Sequence, residues 1–285
     1  MPALYISDLD GTLLRNDARL SEHSRNTLRE LLADGVPFSV ASARSVTSIR
    51  PLLRGLSLEL PVVALNGAFL SDLETGRHEV IHSLERAVAE DLYRTMLQFD
   101  CTPLLATFDG AAECLYHQDA ANDGMRWFLE DRVANRDGRL RRAANLAEAL
   151  ADQVMCMTVI GLGEPLADLD IVLRERHGPM IETHLFENAY SPGWHWLTVH
   201  DRRATKAQGV RTLVELYGLG ETELVVFGDH VNDIKLFEIA AQAVAVANAE
   251  ESVKRVATHV IGSNEEDSVV EHIRQHWRGR KEQTE

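Results

Sequence analysis

Two aspartates, Asp8 and Asp10, follow a short apolar run near the start of the chain and are separated by one residue. If the apolar run is a buried parallel strand, both carboxylates lie at its carboxyl end, where open α/β sheets bind their ligands. A carboxylate there can attack phosphorus, and a second carboxylate two residues later can handle the proton of the leaving group. The spacing therefore predicts phosphoryl transfer through an acyl phosphate on Asp8.

The same residues have two simpler interpretations. Residues 8–12 could form a solvated acidic turn without any chemistry, and short acidic turns are common. A calcium loop of the EF-hand type is excluded, because loop positions six and twelve counted from Asp8 hold Leu13 and Arg19 instead of glycine and glutamate. On these residues alone, catalysis and a plain acidic turn both stay open.

Length and composition indicate an ordinary globular chain. Its 285 residues suggest about two domains at roughly 150 residues each. Hydrophobic residues make up 45% and charged residues 26% of the chain, and no apolar run approaches the roughly 20 residues that span a bilayer. The first residues carry neither a basic segment nor a cleavable apolar one. We therefore expect a cytoplasmic protein without a membrane partner.

Charge and cysteine content narrow the partners further. The formal net charge of −15 argues against nucleic acid, because Lys and Arg supply most of the affinity for its phosphates. A small anionic substrate needs a bound cation and a few local positive groups to offset this charge. The three cysteines, Cys101, Cys114 and Cys156, lack metal-ligand spacing and are predicted to be reduced and partly buried. Oligomeric state has no signal in the sequence.

Strand and helix patterns alternate over the first part of the chain. Apolar runs at 4–6, 37–41 and 61–65 each predict a buried strand. Helices are expected after N-caps at Ser21 and Ser45. This order predicts an α/β fold with a Rossmann-like parallel sheet.

The pattern changes to α+β order from about residue 84 to about residue 199 and then resumes alternation. We expect residues 1–83 and 200–285 to form the catalytic core and 84–199 to form an inserted α+β cap domain. A final helix is predicted over 265–277, followed by a frayed tail from Arg278.

Four groups of polar residues fall at separate strand or helix ends of this predicted core: Asp8 with Asp10, Ser42, Lys206, and Asp229 with Asn232 and Asp233. Asp8 and Asp229 could hold Mg²⁺, a hard cation that takes oxygen ligands. Ser42 and the amide of Ala43 could donate hydrogen bonds to phosphoryl oxygens. Lys206 would stabilise the negative charge of the transition state.

Each group also has an ordinary structural explanation. Asp229 and Asp233 could simply favour a helix N-terminus, and Ser42 by itself is more often a strand-end hydroxyl without a role. Lys206 is more informative, because a cation in the first turn of a helix opposes the helix dipole and needs another reason to be there. The combination is more specific than its parts.

Together these residues resemble the motifs of the haloacid dehalogenase (HAD) superfamily, in the branch of Cof-like sugar-phosphate phosphatases with a large α/β cap. Residues 8–12 match the first motif, Ser42 the second, Lys206 the third and 228–233 the fourth. Order and spacing agree over nearly the whole chain, and the inserted segment falls where that branch places its cap. Two short segments, 66–68 and 247–249, also resemble segments usual in the branch. The sequence departs from the usual motifs at 42–44, 246–248 and 267–268, and these departures affect substrate fit more than the chemistry.

The resemblance implies a role for each matched residue. Asp8 would be the nucleophile and Asp10 the general acid and base, with Ser42 and Lys206 as further catalytic residues. The implied phosphate contacts are Leu9, Ser42, Ala43, Arg44, Lys206 and Asn232. The implied Mg²⁺ ligands are Asp8, the backbone carbonyl of Asp10, and Asp229. Asp233 completes the implied site and would orient the metal water or Lys206.

The sequence therefore predicts a Mg²⁺-dependent phosphatase for a small phosphorylated metabolite, such as a sugar phosphate. Two alternatives stay open: a phosphomutase that uses the same aspartyl phosphate, and a regulator that binds a metabolite without turnover. The complete set of acids with Lys206 disfavours the regulator. The inserted domain is expected to act as a lid that excludes water and selects the substrate, and the aromatic stretch 194–196 within it is predicted to be core.

Overall fold

A computed structural model of the protein describes residues 3–188 and 191–284, with side chains through residue 281. The chain divides into two compact units. The first unit runs to Ile81 and resumes at Thr205, and the second unit is His82–Ala204. The second unit is therefore an insertion in the first; its role as a cap stays a prediction.

Strands and helices are distributed over both units. The strands are, in chain order, β1 (Ala3–Ser7), β2 (Phe38–Val40), β3 (Val62–Ala64), β4 (Phe69–Ser71), β5 (His78–Ile81), β6 (Leu104–Phe108), β7 (Glu113–His117), β8 (Leu140–Arg142), β9 (Gln153–Gly161), β10 (Ile181–Glu187), β11 (His195–Asp201), β12 (Glu223–Gly228), β13 (Gln242–Ala245) and β14 (His259–Val260). The helices are α1 (Glu22–Ala33), α2 (Val46–Leu52), α3 (Arg86–Gln98), α4 (Asp123–Ala134), α5 (Gly163–His177), α6 (Lys206–Leu216), α7 (Ile234–Phe237), α8 (Glu251–Lys254) and α9 (Ser268–Thr284).

The first unit is built on a five-stranded parallel sheet in the order β14-β13-β12-β1-β2. Every residue of β1 is buried, as expected for a central parallel strand that is covered on both faces. Ser7 at the end of β1 lies beside Val40 of β2 and Phe227 of β12. The chain segments that leave these three strands therefore meet at one edge of the sheet, and the predicted α/β fold class is confirmed.

The strand β3 departs from the parallel sheet. It contacts the end of β2 through one parallel bridge between Ala41 and Val63 and pairs antiparallel with β4. With β5 these strands form a separate three-stranded antiparallel sheet. The turn Leu65–Gly67 between β3 and β4 lies next to the loop that follows β2, because Asn66 N–H donates to the Ser42 carbonyl at 3.0 Å.

The second unit has a six-stranded sheet in the order β10-β11-β9-β6-β7-β8. All pairs are antiparallel except β7 with β8, which agrees with the predicted α+β order. Trp196 of β11 is 4% exposed and packs in an apolar cluster with Met125 and Leu104, so its predicted place in the core is confirmed. The described part of the chain contains no helix long and apolar enough to cross a membrane.

The final helix is longer than predicted. The sequence pattern indicates an end at Trp277 and a frayed tail from Arg278, whereas α9 continues to Thr284. An ion pair between Arg280 and Glu223 ties the last turns of this helix to β12. This contact joins residues far apart in the chain, so local periodicity could not reveal it.

A buried histidine makes the stability of the second unit depend on pH. His200 in β11 is 2% exposed, and its Nε2 lies 3.5 Å from the Sγ of Cys156. Burial, with a smaller contribution from His184, lowers the pKa of His200 from 6.5 to about 3. The neutral ring is therefore the form that the fold accepts.

We expect His200→Gln to flatten the pH dependence of the unfolding free energy. Because the pKa of His200 is depressed in the folded state, its contribution is complete above pH 6.5 and is lost as pH falls toward 3. The wild type should lose up to about 1.4 kcal/mol per pH unit from this group below pH 6. Urea denaturation of both proteins from pH 7 to pH 4 measures the difference. Equal slopes in the two proteins would contradict a buried neutral His200.

Candidate active site

Asp8 is the first residue after β1 and is fixed by its neighbours. Its N–H donates to the carbonyl of Phe227 at 2.9 Å, which continues the pairing of β1 with β12. Its carboxylate Oδ1 accepts hydrogen bonds from the N–H of Leu9 at 2.7 Å and from Lys206 Nζ at 2.9 Å. The second oxygen, Oδ2, has no hydrogen-bond donor among the described residues. These contacts hold the Asp8 carboxylate in one orientation, in which Oδ2 accepts no hydrogen bond from the described residues.

Lys206 is the buried cation of this edge of the sheet. It is the first residue of α6, is 1% exposed, and reaches both Asp8 Oδ1 and, at 2.8 Å, Asp233 Oδ1. Burial acts against its charge, but Asp233 and Asp8 outweigh that cost and raise its pKa. These two carboxylates explain why a lysine stands in the first turn of a helix, where the dipole opposes it.

Asp233 is engaged at both of its oxygens. Oδ1 contacts Lys206, and Oδ2 accepts from the N–H groups of Asp229 and His230 at 3.1 and 3.2 Å. Gly228 makes room for this carboxylate, because a Cβ there would lie 2.6 Å from the Asp233 Cγ. Asp233 therefore shapes the turn after β12 and contacts Lys206; the orienting role that the resemblance implies for it stays a prediction.

Asp229 points its carboxylate toward the turn that follows Asp8. Its Oδ1 accepts from the hydroxyl of Thr12 at 2.7 Å. Gly11 has φ +70°, and a Cβ at that position would lie 2.3 Å from Asp229 Oδ2, so a glycine is required both by conformation and by space. Burial raises the pKa of Asp229 to about 6, with the Asp233 charge adding to the rise.

The carboxylates that meet at this edge of the sheet form a negative cluster suited to a hard divalent cation. Asp8, Asp229 and Asp233 each offer an oxygen within 4.8 Å of the others. Burial raises the pKa of Asp8 well above its usual range, and the charges of Asp233 and Asp229 add to the rise although Lys206 opposes it. A divalent cation would relieve this repulsion, and oxygen ligands suit Mg²⁺. Oδ2 of Asp229 has no donor among the described residues and is a candidate ligand.

Asp10 lies outside this cluster of carboxylates. Arg44 binds it with two parallel hydrogen bonds, Nε to Oδ2 at 2.6 Å and Nη2 to Oδ1 at 2.5 Å. Such two-point contacts fix the orientation of a carboxylate. The side chain of Asp10 is therefore not placed with the predicted metal ligands, which leaves only its backbone carbonyl for the implied role. Arg44 contacts Asp10 in this structure, whereas the resemblance implies a phosphate contact.

The loop after β2 presents hydrogen-bond donors. Ser42 is 1% exposed, and its Oγ accepts from the N–H of Arg44 at 3.1 Å, which leaves its hydroxyl hydrogen to donate. Ala43 is exposed, and its N–H has no partner among the described residues. The N–H of Leu9, another expected phosphate contact, is taken by the Asp8 carboxylate.

Three residues of this edge received no role from the sequence. Thr12 binds Asp229, Asn248 Nδ2 donates to the Gly11 carbonyl at 2.7 Å, and Asn66 Oδ1 accepts from Asn232 Nδ2 at 3.2 Å. A polar side chain within a few residues of a strand end is the signal that would have drawn attention to them, but it does not name the partner.

Comparisons with known proteins identify the family of the chain. A family profile described as haloacid dehalogenase-like hydrolase matches residues 5–273. The chain is 25% identical over 279 residues to the 5-amino-6-(5-phospho-D-ribitylamino)uracil phosphatase YitU of Bacillus subtilis. This alignment covers 97% of this chain and 98% of that protein. It is 26% identical over 290 residues to the pyridoxal phosphate phosphatase YbhA of Escherichia coli, with 94% and 96% covered.

A solved structure has the same fold. A haloacid dehalogenase-like hydrolase from Bacteroides thetaiotaomicron superposes with a TM-score of 0.79 at 23% identity, over 96% of this chain and 99% of that one. The two relatives named above are phosphatases, which supports the assignment of this chain as a phosphoric monoester hydrolase. The resemblance inferred from the motifs is confirmed: the chain belongs to the haloacid dehalogenase-like hydrolase family.

Proposed function

We propose that the protein is a Mg²⁺-dependent phosphatase that hydrolyses a small phosphorylated metabolite through an aspartyl phosphate on Asp8. The observation that carries the proposal is the contact of buried Lys206 with both Asp8 and Asp233, beside Asp229. This arrangement supplies a fixed carboxylate nucleophile and a fixed cation for the charge of the transferring phosphoryl group.

The reaction has two steps on the same carboxylate. Asp8 Oδ2 forms a bond to phosphorus while the bond from phosphorus to the leaving oxygen breaks, and Asp10 gives the leaving oxygen a proton. Water then attacks the phosphorus of the acyl phosphate, and Asp10 takes its proton as the Asp8 carboxylate is released. Arg44 contacts both oxygens of Asp10 in this structure, so one of these two hydrogen bonds must open before Asp10 can carry that proton.

The phosphoryl oxygens would be bound by donors from three segments. The Ser42 hydroxyl and the Ala43 N–H come from the loop after β2, Lys206 from α6, and the Asn232 amide from the turn after β12. Fixed donors of this kind are aimed at developing charge and need no reorganisation during the reaction. The same donors would hold the product, inorganic phosphate.

Mg²⁺ would be held by Asp8, Asp229 and the backbone carbonyl of Asp10. When bound, the ion screens the repulsion between the Asp8 carboxylate and the phosphate. Asp233 is excluded as a direct ligand in this account, because Lys206 and two backbone N–H groups already occupy its oxygens.

Removal of divalent cations with EDTA is expected to stop phosphate release, and added Mg²⁺ is expected to restore it. Asp229→Asn should raise the Mg²⁺ concentration for half-maximal activity about tenfold or more, because it removes one charged ligand. Asp119→Asn, whose side chain is 80% exposed, is the control and should respond like the wild type. The rate of p-nitrophenyl phosphate hydrolysis is measured for the wild type and both variants as a function of Mg²⁺ concentration. Activity that is unchanged by EDTA would contradict the proposed requirement for a metal.

The two relatives indicate a class of substrate. By their names, the two relatives act on a phosphoribitylamino-uracil and on pyridoxal phosphate. We propose a small phosphomonoester of similar size, a sugar phosphate included, with the inserted unit as the element that selects it. A panel of these compounds assayed for phosphate release would rank them. Isomerisation of a sugar phosphate without net phosphate release would instead assign a phosphomutase.

A further inference from the structure

Asn66 occupies an unusual backbone conformation next to the candidate active site. It is 6% exposed and has φ +54°, and its neighbour Leu65 has φ +47°. Residues other than glycine adopt positive φ at a cost, although asparagine does so more readily than most. Such residues persist where surrounding contacts determine them, and they concentrate at functional sites.

The turn Leu65–Gly67 is hydrogen-bonded to the loop after β2. The N–H of Asn66 donates to the Ser42 carbonyl at 3.0 Å, and the N–H of Leu65 donates to the Arg44 carbonyl at 2.9 Å. These two contacts lie on either side of Ala43. The turn therefore fixes the backbone that presents the Ser42 hydroxyl and the Ala43 N–H.

The same turn packs against the start of α6. A Cβ on Gly67 would lie 2.3 Å from the carbonyl oxygen of Thr205, the N-cap residue of that helix. Lys206 is the next residue along the chain. The turn thus contacts the backbone that places the catalytic cation as well as the loop that carries the phosphate donors.

The side chain of Asn66 reaches the third group of phosphate contacts. Its Oδ1 accepts a hydrogen bond from Asn232 Nδ2 at 3.2 Å, whereas the buried Oδ1 of Asn232 has no partner among the described residues. An amide nitrogen carries two hydrogens, so one remains for another acceptor. In this arrangement the Asn232 amide faces Asn66 with its nitrogen as the donor. If the Asn232 amide were reversed, its Oδ1 would take the place of this N–H donor and would repel an anion.

We propose that Asn66 is a positioning residue for phosphate binding. It holds the Asn232 amide so that one N–H is left for a phosphoryl oxygen, and its turn fixes the loop of Ser42. This inference rests on the proposed function, in which Asn232 and Ser42 contact the phosphoryl group.

Asn66→Gly tests the role of the side chain alone, because glycine adopts φ +54° without strain and keeps the two backbone hydrogen bonds of the turn. We expect kcat/KM for p-nitrophenyl phosphate to fall about 10- to 100-fold, the loss typical of one hydrogen bond to a charged group. Inorganic phosphate should bind more weakly by a similar factor in calorimetry. Asp100→Gly, at an exposed position with φ +55°, is the matched control and should leave both quantities unchanged.

A double-mutant cycle separates positioning from a general structural effect. If Asn66 acts through Asn232, then Asn66→Gly should add little to the loss already caused by Asn232→Ala. Losses that multiply in the double variant would overturn this route. Full activity and phosphate affinity in Asn66→Gly would overturn the inference while leaving the proposed function intact. A wild type that neither releases nor binds phosphate would overturn both.

Discussion

Asp8→Asn is expected to abolish phosphate release and, in the absence of divalent cations, to raise the melting temperature. An amide cannot attack phosphorus, so turnover should fall by at least about four orders of magnitude. Stability should rise because Asp8 is buried beside Asp229 and Asp233, and burial with these charges raises its pKa although Lys206 opposes the rise. The Asn Oδ1 can still accept from Leu9 and Lys206.

The opposite signs of these two effects make the variant informative. Phosphate release and thermal melting are measured on the same EDTA-treated preparations, with Mg²⁺ restored for the activity assay. Asp119→Asn serves again as the exposed control and should change neither quantity. A variant that retains activity within tenfold of the wild type would remove Asp8 as the nucleophile. A lower melting temperature without metal would show that the Asp8 charge stabilises the fold.

Lys206→Met is expected to impair both stability and catalysis. Methionine fills much of the same volume but leaves Asp8 and Asp233 without the cation that bridges them at 2.9 and 2.8 Å. Removing one partner of a buried ion pair costs about 3–5 kcal/mol of unfolding free energy. Loss of the charge that faces the transition state should reduce kcat about 100- to 1,000-fold.

Urea denaturation and steady-state kinetics measure the two losses separately. Lys254→Met, which removes a partly exposed lysine paired with the exposed Glu251, is the control and should change the unfolding free energy by less than about 0.5 kcal/mol. If Lys206→Met were as stable as this control, the buried lysine would not be the counter-ion of the two carboxylates.

The main elements of this site could be predicted because local patterns encode them. The apolar run of β1 predicts a buried parallel strand, and chain direction then places Asp8 at its carboxyl end. The position of Lys206 against the helix dipole indicates that something other than the helix favours a cation there, and Asp8 and Asp233 supply that reason. Asp229 follows another apolar run in the same way, so one edge of the sheet collects all of these groups.

Pairings between distant side chains could not be predicted. Arg44 and Asp10 are 34 positions apart, and Asn66 and Asn232 are 166 apart, so their contacts depend on side-chain directions that one-dimensional spacing does not contain. The three-residue strand β8 shows the same limit for the fold. Its burial pattern runs from half-buried to exposed, so it carries no alternation that marks a strand.

The central claim is the covalent phosphoryl group on Asp8, and trapping it is the most direct test. Asp10→Asn should slow hydrolysis of the acyl phosphate more than its formation from p-nitrophenyl phosphate, whose leaving group needs little help from an acid. We expect a burst of p-nitrophenol close to one equivalent of enzyme. Borohydride reduction of the quenched protein should then convert Asp8 to homoserine, detected by mass spectrometry. Steady release of p-nitrophenol with residue 8 unmodified, or modification of another residue, would contradict the account.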